Sequence, residues 1–222
     1  MRVTDLSHAI HPAIPVYPGT LPPEFAVANT LERDGFAELR IAMATHTATH
    51  VDAPAHLFRG GTSVDGFEAG QFVGRAVVLE TGEGGTGLLS AAWLEPHVSR
   101  LRGADFALIR TGWSRYWGTE QYFHGFPALS AECAGRLAGL GLKGVGIDAI
   151  SVDPVEAAEL PAHQVLLGAG MILVENLARL AEVESASFVF VCLPLQLRGA
   201  DGSPVRAVAI EDLCPGQPVP AS

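Results

Sequence analysis

Residues 144–176 read GVGIDAISVDPVEAAELPAHQVLLGAGMILVEN, and this stretch decides the fold class. GVGIDAI at 144–150 is a short apolar run, the pattern of a buried strand. Pro161 suits the first turn of a helix, where a missing N–H costs no intrahelical bond, and the helix is expected to stop near Gly168. MILVEN at 171–176 then returns as an apolar strand. Strand, helix and strand in succession indicate an α/β protein.

The alternation extends outward on both sides. SFVFVCLPL at 187–195 and VRAVAIE at 205–211 read as strands, as do ADFALIRTG at 104–112 and RAVVLET at 75–81. Ser130 is placed to cap a helix that Gly141 stops. A second helix is expected from Ser90 through Leu101, with Pro96 arguing against its continuity. AELRIAMAT at 37–45 alternates as a strand, while Pro12, Pro15, Pro18, Pro22 and Pro23 make residues 9–24 an irregular arm. No linker or internal repeat divides the chain. The expectation is one α/β domain over residues 1–222, a mixed β-sheet flanked by helices.

Composition narrows the function. Of 222 residues 48% are hydrophobic and 17% charged, enough for a substantial core. Fourteen Lys plus Arg against twenty-four Asp plus Glu give a formal charge of -10, which argues against nucleic acid or an anionic membrane as partner. Lysine occurs once, at Lys143, with no phosphate-binding loop before it, so a P-loop mechanism is excluded. Cys133, Cys192 and Cys214 are an odd set with no CxxC spacing and fit reduced thiols. With no apolar run near the ~20 residues of a membrane span and no signal-peptide pattern, a cytoplasmic location is expected.

Two motifs are decoys. Gly82, Gly84 and Gly87 spell GxGxxG after a strand, but Leu88 and Leu89 separate them from the helix cap at Ser90, and Glu83 would face the phosphates. No GxSxG occurs, which removes the nucleophile elbow of the α/β-hydrolases.

The chemistry concentrates at residues 46–56, HTATHVDAPAH. Eight histidines spread evenly would put about 0.4 in an eleven-residue window, and this one holds three. Imidazoles with a carboxylate are the donor set of zinc and other borderline divalent metals. On a helix Asp52 would be turned about 120° from His46 and about 160° from His50, and Thr47, Thr49, Val51 and Pro54 disfavour helix. A regular strand would hold His46 and His50 about 13 Å apart. The segment must therefore bend near residue 47 for both to reach one ion.

Residues 46–56 resemble the signature HxGTHxDxPxH of the metal-dependent cyclase family, which includes bacterial kynurenine formamidase and isatin hydrolase; the one departure is Ala48 in place of glycine. YPG at 17–19, RTGW at 110–113, GIDAISVDP at 146–154, and His163 with VENL at 174–177 resemble the family's other blocks in the same order, and the similarity covers most of residues 1–196. The resemblance implies a swivelling β/β/α-type cyclase fold and a centre of two divalent ions, Zn2+ first and Mn2+ second. Its ligands would be His46, His50 and a bridging Asp52, with His163 and Glu175 completing the second position. His56 would remain free as the proton shuttle, and Tyr17, where the formamidases usually carry Trp, would line the substrate pocket. The implied activity is hydrolysis of an amide C–N bond in a small molecule by metal-bound hydroxide, arylformamidase-like. Isatin-type lactam opening, a cyclisation or dehydration, and a non-enzymatic retained fold are the alternatives. A homo-oligomer, dimer or tetramer, is implied as well. Because glycine at 48 would permit positive φ and alanine resists it, Ala48 is expected in an ordinary β or αR conformation with the site intact.

Overall fold

The computed structural model describes residues 1–82 and 87–212. In chain order the strands are β1 (Arg2–Asp5), β2 (Glu24–Asn29), β3 (Glu38–Ala42), β4 (His50–Asp52), β5 (Val73–Glu80), β6 (Leu88–Leu89), β7 (Phe106–Arg110), β8 (Ala128–Leu129), β9 (Gly144–Ile147), β10 (Ile172–Glu175), β11 (Phe188–Val191), β12 (Gly202–Pro204) and β13 (Val208–Glu211). The α-helices are α1 (Leu31–Asp34), α2 (Ala91–Leu94), α3 (Ala131–Ala138) and α4 (Pro161–Gly168). Nine strands form one mixed sheet in the order β1-β13-β11-β5-β7-β9-β10-β4-β12. Strands β5, β7, β9 and β10 run parallel at its centre, and the flanking pairs are antiparallel. The α/β class and the mixed sheet are as expected.

Alternation along the central strands divides the core into two layers. Val77, Leu79, Ala107, Ile109, Val145, Ile147 and Leu173 pack on one side with Leu137 of α3 and Leu166 of α4. Ala76, Phe106, Leu108, Ile172 and Val174 point the other way, onto Phe188, Phe190 and Leu177. This two-residue period with both faces buried explains why these strands read as nearly continuous apolar runs. On β9 the second face is left to glycine: a Cβ at Gly146 would fall 2.6 Å from Leu108 Cδ2 and 2.7 Å from Leu177 Cδ1.

Helix boundaries differ from the sequence reading for local reasons. Ser90 caps α2 as expected, its hydroxyl accepting from the Trp93 amide, but α2 ends at Leu94. A 3₁₀ turn over Glu95–His97 follows, because Pro96 lacks the N–H that an α-helix needs there. Ser130 caps α3, which stops at Ala138 with Gly139 as its C-cap, two residues before Gly141. The span of α4 agrees with the expectation. Of the GxGxxG glycines, Gly84 lies outside the described residues, and Gly87 leads into β6 rather than into a helix. Cys133 and Cys192 are buried free thiols, and Cys214 lies outside the described residues.

The residue 9–24 arm is irregular up to the start of β2 at Glu24. Beyond it β2 and β3 form a separate antiparallel hairpin. Every residue of β3 is exposed. Lys143 sits just before β9, its ammonium bound to the Gly70 and Val73 carbonyls and 3.2 Å from Asp105, which is a structural role. Among the described residues, no helix is long and apolar enough to cross a membrane.

Candidate metal centre

Strand pairing assembles the first part of the centre. β4 lies antiparallel to β10 with His50 opposite Glu175 and Asp52 opposite Leu173. Side chains two apart share a face of a strand, so His50 and Asp52 project together and Glu175 joins them across the ladder. His163 comes from the first turn of α4. That helix begins after Leu160, held at φ 45 with no side-chain cap of its own. Asp153 serves instead: its carboxylate accepts from the Ala162 amide at 2.8 Å, the His163 amide at 2.9 Å and His163 Nδ1 at 2.7 Å. His163 Nε2 is thereby turned inward, 3.3 Å from Glu175 Oε1 and 3.6 Å from Asp52 Oδ2.

His46 reaches the same point through a reversal at Ala48. Here the structure corrects the expectation: Ala48 has φ 53, the left-handed conformation that the family's glycine would take without strain. The surroundings hold it there. The Ala48 carbonyl accepts from His50 Nδ1 at 2.8 Å and from the Asn176 amide group at 2.8 Å, and the Thr49 hydroxyl donates to the Asn176 carbonyl at 2.6 Å. Asn176 is itself fixed by the buried Tyr122 hydroxyl, which donates to its Oδ1 at 2.7 Å. The reversal brings the His46 and His50 rings to a centroid separation of 5.1 Å.

Five residues thus form two groups that share Asp52. His46, His50 and Asp52 make one, and Asp52, His163 and Glu175 the other; within each, the candidate donor atoms lie within 4.8 Å of one another, as they do in a third group without Asp52, formed by His46, His56 and Asp201. Asp52 Oδ1 is 2.6 Å from His46 Nδ1 and 3.1 Å from His50 Nε2. Its other oxygen, Oδ2, is buried and, among the described residues, has no hydrogen-bond partner, His163 Nε2 lying 3.6 Å away. An unpartnered buried carboxylate oxygen is costly unless a cation meets it.

The electrostatics point the same way. Burial pushes Asp52 up, but His50 and His46 outweigh it and hold the carboxyl well below its usual range. Burial pulls His46 down, yet Asp52 and then Asp201 hold its imidazolium up at about 9. His163 is likewise raised against burial, by Glu175, Asp153 and Asp52. Protons on the imidazoles balance the carboxylates, and divalent cations binding here would displace them.

His56 stands beside these groups, its ring centroid 4.0 Å from that of His46 and 6.2 Å from that of His163. A cavity of about 290 Å³ opens onto the cluster, walled by Pro15, Val16, Tyr17 and Thr20 of the N-terminal arm and by Ile150 and Leu160. The Tyr17 hydroxyl finds its partner in the Val155 carbonyl at 3.3 Å. The aromatics Phe58, Trp113, Tyr116 and Phe123 do not line this cavity; Trp113, Tyr116 and Phe123 pack into the core.

Two further carboxylates belong to the arrangement and were not singled out from sequence. Asp153 lies within the GIDAISVDP block, where its place before Pro154 gives no hint that it orients His163. Asp201 precedes β12 and lies 2.9 Å from His46 Nε2 and 3.3 Å from His56 Nδ1. It falls beyond the residues that carried the family resemblance.

Comparison with known proteins adds independent findings. The family model described as "Putative cyclase" matches residues 4–154. A kynurenine formamidase from Bacillus cytotoxicus is 33% identical over 205 residues, covering 92% of this chain and 95% of its own. Isatin hydrolase A from Labrenzia aggregata, solved with benzyl benzoate bound, superposes with a TM-score of 0.83 at 26% identity over 94% of this chain and 93% of its own. The structure of a potential metal-dependent hydrolase with cyclase activity gives a TM-score of 0.77 at 29% identity, over 94% of this chain and 96% of its own.

Proposed function

This chain belongs to the cyclase family, and from that premise we propose that it is a metal-dependent hydrolase of carbon–nitrogen bonds in small molecules, arylformamidase-like. The observation that carries the reading is Asp52, whose two oxygens face two separate sets of donors, one of them left without any hydrogen bond. His46 and His50 with Asp52 would hold one divalent ion, and His163 and Glu175 with Asp52 a second. Mixed imidazole and carboxylate donors suit Zn2+, our first assignment, and Mn2+. When bound, such ions supply Lewis-acid polarisation of a carbonyl and acidify water toward a pKa of ~7.

The protein's own residues supply the rest. A planar aromatic amide would lie in the cavity between Tyr17 and the cluster, with Ile150 and Leu160 as apolar walls. His56, at the cavity and outside both donor groups, accepts the proton of the attacking water and returns it to the leaving nitrogen. Asp52 and Glu175 are buried, and the cavity opens onto both. No serine or cysteine nucleophile is needed.

The formamidase relative at 33% identity favours N-formylkynurenine as the first substrate to try. A lactam such as isatin is the second reading, favoured by the isatin hydrolase fold match and by Tyr17, smaller than the tryptophan usual in the formamidases. The test is metal quantification on the purified protein combined with hydrolysis of both compounds. Stoichiometric metal with turnover of either supports the proposal; turnover of neither removes both substrates, and a protein that binds no divalent ion removes the mechanism.

The reading includes self-association and a cytoplasmic location. Val27, Leu39 and Ile41, 68%, 47% and 47% exposed on the β2–β3 hairpin, offer an apolar face to a second copy. The unpaired Cys133 and Cys192 thiols fit a reducing compartment. Light scattering during size exclusion tests the first, with a dimer or tetramer expected and a monomer overturning it.

A further inference from the structure

We propose that Asp201 is a positioning residue that sets the orientation of two imidazoles at once, His46 in the metal centre and His56 at its edge. The inference rests on the two-metal reading above and extends it to a residue outside both groups that share Asp52, one that forms a third group with His46 and His56.

Three histidines, His46, His50 and His163, converge on Asp52. A neutral imidazole has one protonated nitrogen and one lone pair, so a ring that offers its lone pair inward must place an N–H outward and find an acceptor for it. His50 does so with the Ala48 carbonyl, 2.8 Å from Nδ1. His163 does so with the Asp153 carboxylate, 2.7 Å from Nδ1. His46 is turned the other way round, with Nδ1 inward, 2.6 Å from Asp52 Oδ1, and Nε2 outward, 2.9 Å from Asp201 Oδ2. Asp201 therefore stands to His46 as Asp153 stands to His163. The same Oδ2 lies 3.3 Å from His56 Nδ1, so that His56 donates there and keeps Nε2 as its free lone pair.

Asp201 is held for this task. Its Oδ1 accepts from the Thr45 hydroxyl at 2.9 Å, and its backbone carbonyl accepts from the Ala53 amide at 2.9 Å. These bonds tie it to both sides of the His46–Asp52 loop. The next residue, Gly202, completes the seat: a Cβ there would lie 2.6 Å from His46 Cε1 and 2.7 Å from the Val51 carbonyl oxygen, so the ring rests against bare backbone. Because the Asp201 side chain is 41% exposed, its replacement is not a core substitution.

The test uses Asp201→Ala and Asp201→Asn, with Co2+ binding to the metal-free protein followed by visible absorption and by competition with a chelator. Asp201→Ala is expected to weaken the His46 ion by about 10- to 100-fold while the ion at His163 and Glu175 changes less. Asp201→Asn, whose amide oxygen still accepts an N–H, should recover most of that affinity. At saturating metal the alanine variant should also lose kcat by at least about tenfold with KM within about threefold, because His56 has lost its orientation. Wild-type Co2+ affinity in Asp201→Ala, or an asparagine variant no better than alanine, overturns the inference alone. A wild-type protein that binds no Co2+ overturns the metal reading and this inference with it. If the alanine variant does not fold, Asp201→Asn carries the test through its kcat: a wild-type Co2+ affinity with kcat preserved supports positioning by hydrogen bond, and a tenfold loss of both counts against it.

Discussion

Ala48 is one of three left-handed non-glycine residues at the centre, with Leu160 and Asn176. Left-handed backbone costs a non-glycine residue roughly 1–2 kcal/mol, and the cost is met at Ala48 by two hydrogen bonds to its carbonyl and by burial among Thr47, Thr49 and Asn176. Ala48→Gly relieves the strain but also loosens the unfolded chain by roughly 0.4–1 kcal/mol. We expect a net gain of about 0.5 kcal/mol in urea unfolding, where glycine in ordinary strand backbone would cost about that much; a loss of 1 kcal/mol would mean that the reversal is unstrained. Two other substitutions separate the roles of neighbouring residues. Asp52→Ala removes the carboxylate that both donor groups share, so metal content and turnover should fall together. His56→Ala should retain the metal and lose about 10²- to 10⁴-fold in rate. Metal analysis on the two variants decides the matter, and an emptied His56→Ala site would make His56 a ligand.

Elements deliver these residues, and some of that delivery was legible in the sequence. The apolar runs of β5, β7, β9 and β10 announced themselves because both their faces are buried, and Pro161 marked the start of α4. β4 was hidden by its brevity: three residues flanked by a left-handed turn and a 3₁₀ turn at Pro54–His56 carry too little period to read. What caps α4 was opaque, since the cap is supplied by Asp153 from outside the helix. That dependence can be measured. Asp153→Ala strands the Ala162 and His163 amides and frees the His163 ring, so it should cost about 2–3 kcal/mol, the worth of charge-assisted bonds at a helix start. It should also reduce metal bound at the His163 and Glu175 group. Chemical unfolding of the metal-free protein isolates the first effect, and a loss below 0.5 kcal/mol would show that water replaces the carboxylate without penalty.

Across the whole molecule, contacts between distant chain segments were the part that sequence reading could not supply. Residues 46–56 announce a cluster, yet Asp201 and Asn176 complete it from far along the chain, and no local pattern links them. The N-terminal segment shows the same thing. The Leu6 amide donates to Ala207 and its carbonyl accepts from Ala178, while the His8 amide donates to the Thr49 hydroxyl behind the metal centre and the His8 ring stacks on Trp117 at 3.8 Å. His8 Nε2 is buried there with no partner, and Arg179 lies nearby. Burial first, with Arg179 adding to it, pushes this imidazole down to about 4. The unfolded chain takes up a proton at His8 near pH 6.5 and the folded chain does so only near pH 4, so this contribution to stability is complete above 6.5 and is lost as pH falls between those values. Discounted for a half-buried side chain, the loss is roughly 1–2 kcal/mol by pH 4.5. His8→Phe keeps the stacking surface and cannot titrate. Unfolding measured from pH 7.5 to 4.5 should therefore show the wild type losing stability relative to the variant by that amount. Parallel pH profiles for the two proteins would mean that His8 charges in the folded state as readily as in the unfolded chain, and that the N-terminal seam is open to water.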